Sequence, residues 1–329
     1  MSAWDEMLDE FRALGGTAEN IRLGEGALGR GIFTIDPSKP VAIRIPPNLL
    51  MEIADAAFEN GAFRVRAGSG IGAREKAFLE SYEERFSWGG GGREDIAQVF
   101  EQAQALPAEL RERLRAEFRC GDWFGAVTSK AIEECFLASR CIGWRGRMVV
   151  MPIVELANHG DGADYDTANG VSLAGTFAHE VLVRYSRIDS YGLFLNWGFA
   201  YPQPQAVSIA LGGTIGGARL RIVRDLSEFH VPGRPPRLTN IDGTATLDFL
   251  TLGDRLHPRR CRGVFYKLAR EAGLGGFEEA FDTIQHANRL HFLKLLAAVE
   301  GFEVPIAHTL RRMARHQLEA MSFSFGAQT

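Results

Sequence analysis

Trp4, Met7, Leu8, Phe11 and Leu14 recur at the three- and four-residue spacing of one helical face until Gly15-Gly16, which predicts an opening helix with a buried stripe. From Ile21 to Ile45 the pattern changes to short β-rich runs, GIFTI and VAIRI, separated by Gly and Pro. That pattern predicts hairpins and turns rather than alternating βαβ units, and argues against a doubly wound sheet. From about Leu49 to Leu137, Glu, Ala, Arg and Leu dominate EDIAQVFEQAQ, PAELRERLRAEF and WFGAVTSKAIEECFL, predicting a helical insertion. Within it, the SWGGGG stretch ending at Gly92 is expected to be a flexible surface connector.

Strands return between Ile142 and Val223 in RMVVM, NGVSLAG, EVLVRY, AVSIAL and RLRIV, with a short helical patch around Asp189 to Asn196. The sheet therefore has two sequence-distant halves, and the class is α+β. After about Arg237 an apolar segment, TATLDFLTL, leads into three amphipathic helices, with Pro305 suited to the first turn of the last. The expected division is a β-rich domain over 1–236, carrying the insertion at about 49–137, and a C-terminal all-helical domain over 237–329.

Composition narrows the function. The 329 residues are 46% hydrophobic and 24% charged, the balance of an ordinary globular chain. A formal net charge of -4 gives no polybasic surface, so neither nucleic acid nor anionic lipid is an expected partner. Cys120, Cys135, Cys141 and Cys261 show no C-x-x-C pairing and no histidines at finger spacing, so neither a zinc site nor a disulfide framework is implied. The opening MSAWDEMLDEF is acidic and amphipathic rather than a basic leader, and no apolar run reaches membrane-spanning length. The expectation is a cytoplasmic monomer with reduced thiols.

The densest polar cluster in an apolar context is MVVMPIVELANHGDG, where a buried-looking strand runs into Glu155, Asn158 and His159. Strand ends that empty into polar loops collect binding sites. Each residue also has a structural account: an Asx turn for Asn158, a hydrogen-bonded loop histidine for His159, a solvated carboxylate for Glu155. His286 and His291 are five apart, off the spacing that puts two ligands on one helical face. No nucleophile elbow, P-loop or H-E-x-x-H motif occurs, and the LGRG and GGTIGG glycines are tight turns beside strands.

Four ordered blocks together resemble the SET-domain methyltransferases of the Rubisco large-subunit lysine methyltransferase type. They are GALGRGIFTIDPSKPVAIRIPPNLLM, similar to a G-x-G turn, a strand and an I-P strand end; WFGAVTSKAIEECF, similar to W-A-x-x-x-x-S-R-A-F; VVMPIVELANH, similar to V-P-x-x-D-x-x-N-H; and HEVLVRYSRIDSYGLFLNWGFAYP, similar to E-x-x-x-x-Y-G followed by Y-G-F. The resemblance spans nearly the whole chain. It implies a β-rich SET fold with a threaded C-terminal segment, S-adenosyl-L-methionine as cofactor, no metal, and methyl transfer to a lysine nitrogen of a protein docked on the C-terminal helices.

Carried over by position, Leu28 and Arg30 offer backbone contacts to the cofactor, Asn158 and His159 contact its two ends, and Tyr185 falls on the active-site tyrosine. Three positions depart from the pattern. Lys130 stands where an arginine approaches the cofactor carboxylate, keeping the charge without the bidentate fork. Glu155 replaces an aspartate. Trp197 replaces the tyrosine of Y-G-F that shapes the acceptor channel, which is expected to narrow the channel or to favour another nitrogen such as histidine. The competing expectation is a catalytically inactive SET-fold protein that holds a partner through its C-terminal helices.

Overall fold

The computed structural model describes residues 1–215, 217–224, 235–241 and 243–323, so Gly216 of the GGTIGG turn lies outside the described residues. The expected opening helix is α1 (Ala3–Ala13). Ser2 accepts from the Asp5 N–H at 3.2 Å while the Asp5 carboxylate accepts from the Ser2 N–H at 2.9 Å, a reciprocal capping box. Trp4, Met7, Leu8 and Phe11 form its buried stripe.

β1 (Thr17–Glu19), β2 (Ile21–Gly26), β3 (Gly29–Thr34) and β4 (Val41–Ile45) follow, then β5 (Met51–Glu52), β6 (Ala56–Glu59) and β7 (Ala62–Val65). Helix therefore begins later than the composition suggested, at α2 (Ala73–Phe86). The reason is local: Asn60 at φ +52° and Gly61 at φ +81° make an Asn-Gly turn that pairs β6 with β7 before α2 starts. α3 (Arg93–Gln104), α4 (Ala108–Ala116) and α5 (Ser129–Ser139) complete the helical stretch. Then come β8 (Cys141–Trp144), β9 (Arg147–Val150), β10 (Asn158–Ala163), β11 (Val171–Gly175), β12 (Leu182–Val183) and α6 (Ser190–Trp197). The last strands are β13 (Gln205–Val207), β14 (Leu211–Ile215), β15 (Ala218–Ile222), β16 (Leu238–Ile241), β17 (Thr244–Leu247) and β18 (Thr251–Asp254). The three expected C-terminal helices are α7 (Arg260–Glu271), α8 (Phe277–Ala298) and α9 (Pro305–Ser322).

The chain forms two compact units, one of Met1–Gln98 with Ala126–Tyr185 and one of Val99–Gly125 with Ser186–Thr329. In the first, β4 pairs antiparallel with both β1 and β11, and β9 with both β5 and β8. Strands from before and after the helical stretch thus share sheets, as the two-half pattern required. β10 and β12 pair in parallel. The SWGGGG stretch is a packed junction, not a flexible connector. The Trp88 indole N–H donates to the Gly61 carbonyl at 2.7 Å, and its ring centroid lies 4.5 Å from that of Phe58. A Cβ on Gly89 would come within 2.2 Å of the Glu84 carbonyl oxygen, and one on Gly92 within 2.8 Å of the Ser87 carbonyl oxygen, so the glycines serve close backbone approach.

The second unit sets a four-stranded sheet, ordered β14-β15-β17-β16, beside the β13-β18 pair and the C-terminal helices, where α8 packs on α9. Phe265, Phe281, Phe292, Leu295 and Met313 are fully buried there. No helix among the described residues is long and apolar enough to cross a membrane.

Candidate functional site

The first unit brings four of the eight expected site residues, Arg30, Asn158, His159 and Tyr185, together around the start of β10. Between β9 and β10 the chain turns through Ile153, a β-branched residue at φ +69°, and a short 3-10 segment at Val154–Leu156. A β-branched side chain in that region is strained and is held there by its surroundings, a feature that gathers at functional sites. Beyond this turn Asn158 aligns with Leu182 and His159 with Val183.

Asn158 joins three blocks that are distant in sequence. Its amide donates to the Arg30 carbonyl at 3.1 Å and to Glu180 Oε1 at 2.7 Å. Gly31 makes this possible, because a Cβ there would sit 2.6 Å from Asn158 Nδ2 and 2.8 Å from Glu180 Oε1. Leu28 lies at the tip of the β2–β3 hairpin and is 56% exposed.

His159 is buried, and its Nδ1 accepts from the Tyr185 backbone N–H at 3.2 Å. An acceptor at Nδ1 fixes the neutral ring with its proton on Nε2. Burial pulls its pKa down to about 4, with the Arg184 charge acting in the same sense and Asp161 opposing. The Tyr185 hydroxyl donates to the Ala157 carbonyl at 2.9 Å, and its ring meets that of His159 edge to face at 5.2 Å. Burial pushes the Tyr185 phenol well above its ordinary range, so it keeps its proton.

Glu155 is engaged elsewhere. Its side chain is fully buried; Oε1 accepts from the Tyr82 hydroxyl at 2.5 Å, and Oε2 lies 2.9 Å from Arg140 Nε. The Arg140 N–H is not aimed at that oxygen, so the contact is an ion pair without a formal hydrogen bond. Arg140 also stacks on the Phe136 ring, 4.4 Å from its centroid. Lys130, by contrast, lies on the exposed side of α5, with its ammonium 3.6 Å from Glu134. The guanidinium that the structure brings to this cluster is Arg140, which the sequence reading did not single out. Trp197 belongs to the other compact unit, where it ends α6 and its ring lies 6.5 Å from that of Phe199.

Glu83, also missed, is fully buried beside Glu155 and accepts from the Trp88 N–H at 3.4 Å. Burial, and then the Glu155 charge, push its pKa up to about 8. Between 4.5 and about 8 the folded state therefore binds more protons than the unfolded chain, so Glu83 makes stability fall as pH rises through that window. His159 acts in the opposite sense between about 4 and 6.5. Glu83→Gln is expected to stabilise the protein at pH 8 by on the order of a few kcal/mol and to have little effect at pH 5. Urea unfolding at the two pH values checks this; an equal difference at both would contradict it.

Among the described residues no group of three or more His, Cys, Asp or Glu side chains is arranged to hold a metal ion. No protein-family model matches the sequence, and no curated protein matches it. Solved structures that it matches include Rubisco LSMT bound to AdoMet, at 16% identity and a TM-score of 0.47 over 98% of this chain and 91% of that one. The SET domain of LSMT bound to lysine and AdoHcy matches at 16% identity and a TM-score of 0.45, over 97% and 90% of the two chains.

Proposed function

We propose that this chain is a SET-type methyltransferase that moves a methyl group from S-adenosyl-L-methionine to a lysine side-chain nitrogen of a protein. The observation that carries the reading is the convergence on Asn158: the glycine-turn block, the N-H block and the E-x-x-x-x-Y block meet there through two hydrogen bonds. Their spacing in sequence gives no local reason for them to meet.

The residues present fit the cofactor. Gly31 lets the Asn158 amide and the Glu180 carboxylate pack against the β3 backbone, and Leu28 at the adjoining hairpin tip is exposed. The Leu28 and Arg30 backbones, with Asn158 and His159, would hold it. When bound, it supplies a methyl group activated by the adjacent sulfonium.

The protein's own part is to deliver a neutral nitrogen in line. A lysine ammonium, with a pKa of about 10.4 in water, must lose its proton before it has a lone pair to offer. Burial away from water disfavours the ammonium. His159 is neutral and the Tyr185 phenol stays protonated, so neither stabilises the charged amine. Tyr185, pinned by Ala157 through its hydroxyl and by His159 through its backbone, would form a rigid wall that orients the incoming nitrogen. Glu155 and Lys130 have other partners and are given no part in this step. We assign the C-terminal helices α7 to α9 the task of docking the protein that carries the lysine.

The reading is tested by incubating the full chain with methyl-labelled cofactor and protein extract, followed by mass spectrometry of the digested proteins. Label on lysine residues is expected. Label on histidine would move the acceptor, and no protein label above a chain-free control would overturn the reading.

A further inference from the structure

Glu180 opens the E-x-x-x-x-Y block, and neither the hydrophobic pattern nor the resemblance gives it a task. Its backbone is held to β3 from both sides. It faces Phe33 in an antiparallel bridge; the Thr34 N–H donates to the His179 carbonyl and the Val181 N–H to the Ile32 carbonyl, each at 2.8 Å. The Glu180 carboxylate lies on the β2–β3 hairpin over two glycines. A Cβ on Gly31 would come 2.8 Å from its Oε1, and one on Gly26 3.3 Å from its Oε2.

This carboxylate settles which way the Asn158 amide points. A primary amide has two N–H donors at one end and an acceptor at the other. The Arg30 carbonyl and the Glu180 carboxylate offer only acceptors, so both take Nδ2, at 3.1 and 2.7 Å. The reverse orientation would set Oδ1 against two oxygens. Both Nδ2 protons are thereby used, while Oδ1 takes no hydrogen bond from any described residue and is open to solvent. Of the two anchors, Glu180 makes the shorter bond, and a carboxylate is the stronger kind of acceptor. Its pull on Nδ2 also polarises the amide, which makes Oδ1 a better acceptor in turn.

We infer that Glu180 is a positioning residue of the cofactor site: it fixes the Asn158 amide so that Oδ1 is the acceptor presented to an N–H of S-adenosyl-L-methionine. This rests on the reading of the chain as a SET-type methyltransferase with Asn158 in its cofactor site. The Arg30 carbonyl alone would select the nitrogen end of the amide but leave it free to swing about a single hydrogen bond. The second anchor removes that freedom before the cofactor arrives, so the ordering cost is not charged to binding. Glu180 thus acts through Asn158, and a loss at Glu180 has nothing to act on once Asn158 is gone.

A double-mutant cycle on the full chain, read by calorimetric titration with S-adenosylmethionine, separates this role from a structural one. Glu180→Ala is expected to bind about tenfold more weakly than the wild type, the equivalent of one lost hydrogen bond, and Asn158→Ala at least as weakly. Glu180→Gln keeps an acceptor for Nδ2 and is expected to stay within about threefold of the wild type. In the Asn158→Ala background, Glu180→Ala is expected to change the affinity by less than about twofold. Should Glu180→Ala fail to fold, Glu180→Leu, which keeps bulk and removes the acceptor, takes its place in the cycle. Losses that multiply to about 100-fold in the double variant would mean that Glu180 acts independently of Asn158, and would overturn the inference. So would wild-type affinity in Glu180→Ala, or a Glu180→Gln variant as weak as Glu180→Ala. A folded wild type that binds no S-adenosylmethionine would overturn the methyltransferase reading itself, and this inference with it.

Discussion

Tyr185→Phe is expected to lower methyl-transfer turnover about 100-fold, the scale on which misplacing a reacting group acts. The variant keeps its ring against His159 and the backbone bond to His159 Nδ1, and loses the 2.9 Å hydrogen bond to the Ala157 carbonyl. Ala157 lies directly before Asn158, so the bond ties the proposed acceptor wall to the proposed cofactor cradle. Leaving that carbonyl unpaired should cost about 1 kcal/mol of stability, too little to unfold the chain. Single-turnover rates at saturating cofactor check the prediction. A variant with wild-type turnover would remove Tyr185 from the mechanism.

Asp189→Ala is expected to cost the second unit about 3 to 5 kcal/mol of stability. Asp189 is fully buried and holds three groups at once. Its oxygens accept from the Gly192 N–H, capping α6, and from the Val207 N–H, each at 2.9 Å, and pair with two Arg224 nitrogens at 2.5 and 3.2 Å. Truncation leaves the mostly buried Arg224 guanidinium without its counter-charge and two N–H groups without an acceptor. Asp189→Asn retains an acceptor and removes the charge, so it should fall between the two. Hydrogen exchange across α6 and β13 reports the loss in the unit that suffers it, and a cost below about 1 kcal/mol would contradict the role given to this pair.

Much of the fold was legible because one face of each element is buried and its ends are marked. Trp4 to Phe11 shows a helical stripe between a Ser cap and a glycine stop, VAIRI alternates along β4, and α9 begins at Pro305. At 51–65 the Glu and Ala composition predicts helix and masks the Asn60-Gly61 turn signal, which the hairpin of β6 and β7 follows. The SWGGGG junction is not legible locally, since its glycines serve close approach to the Glu84 and Ser87 carbonyls.

At the site, the motif spacing brought Asn158, His159, Tyr185 and the glycine turn into view. What it could not supply was the partner of each polar group. Glu180 sat within the E-x-x-x-x-Y block without drawing notice, and the structure pairs it with Asn158. Glu155 looked like a site carboxylate, yet Tyr82 and Arg140 occupy it. Those pairings join residues from 15 to 73 positions apart along the chain, with Tyr82 and Glu155 the most distant.

Calorimetric titration of the full chain with S-adenosylmethionine tests the central claim most directly, with Gly31→Ala as the matched variant. The expected result is one-to-one binding by the wild type and at least about tenfold weaker binding by the variant, whose added methyl group would crowd Asn158 and Glu180. No binding heat from a wild type that is folded by circular dichroism, at any temperature tried, would contradict the account.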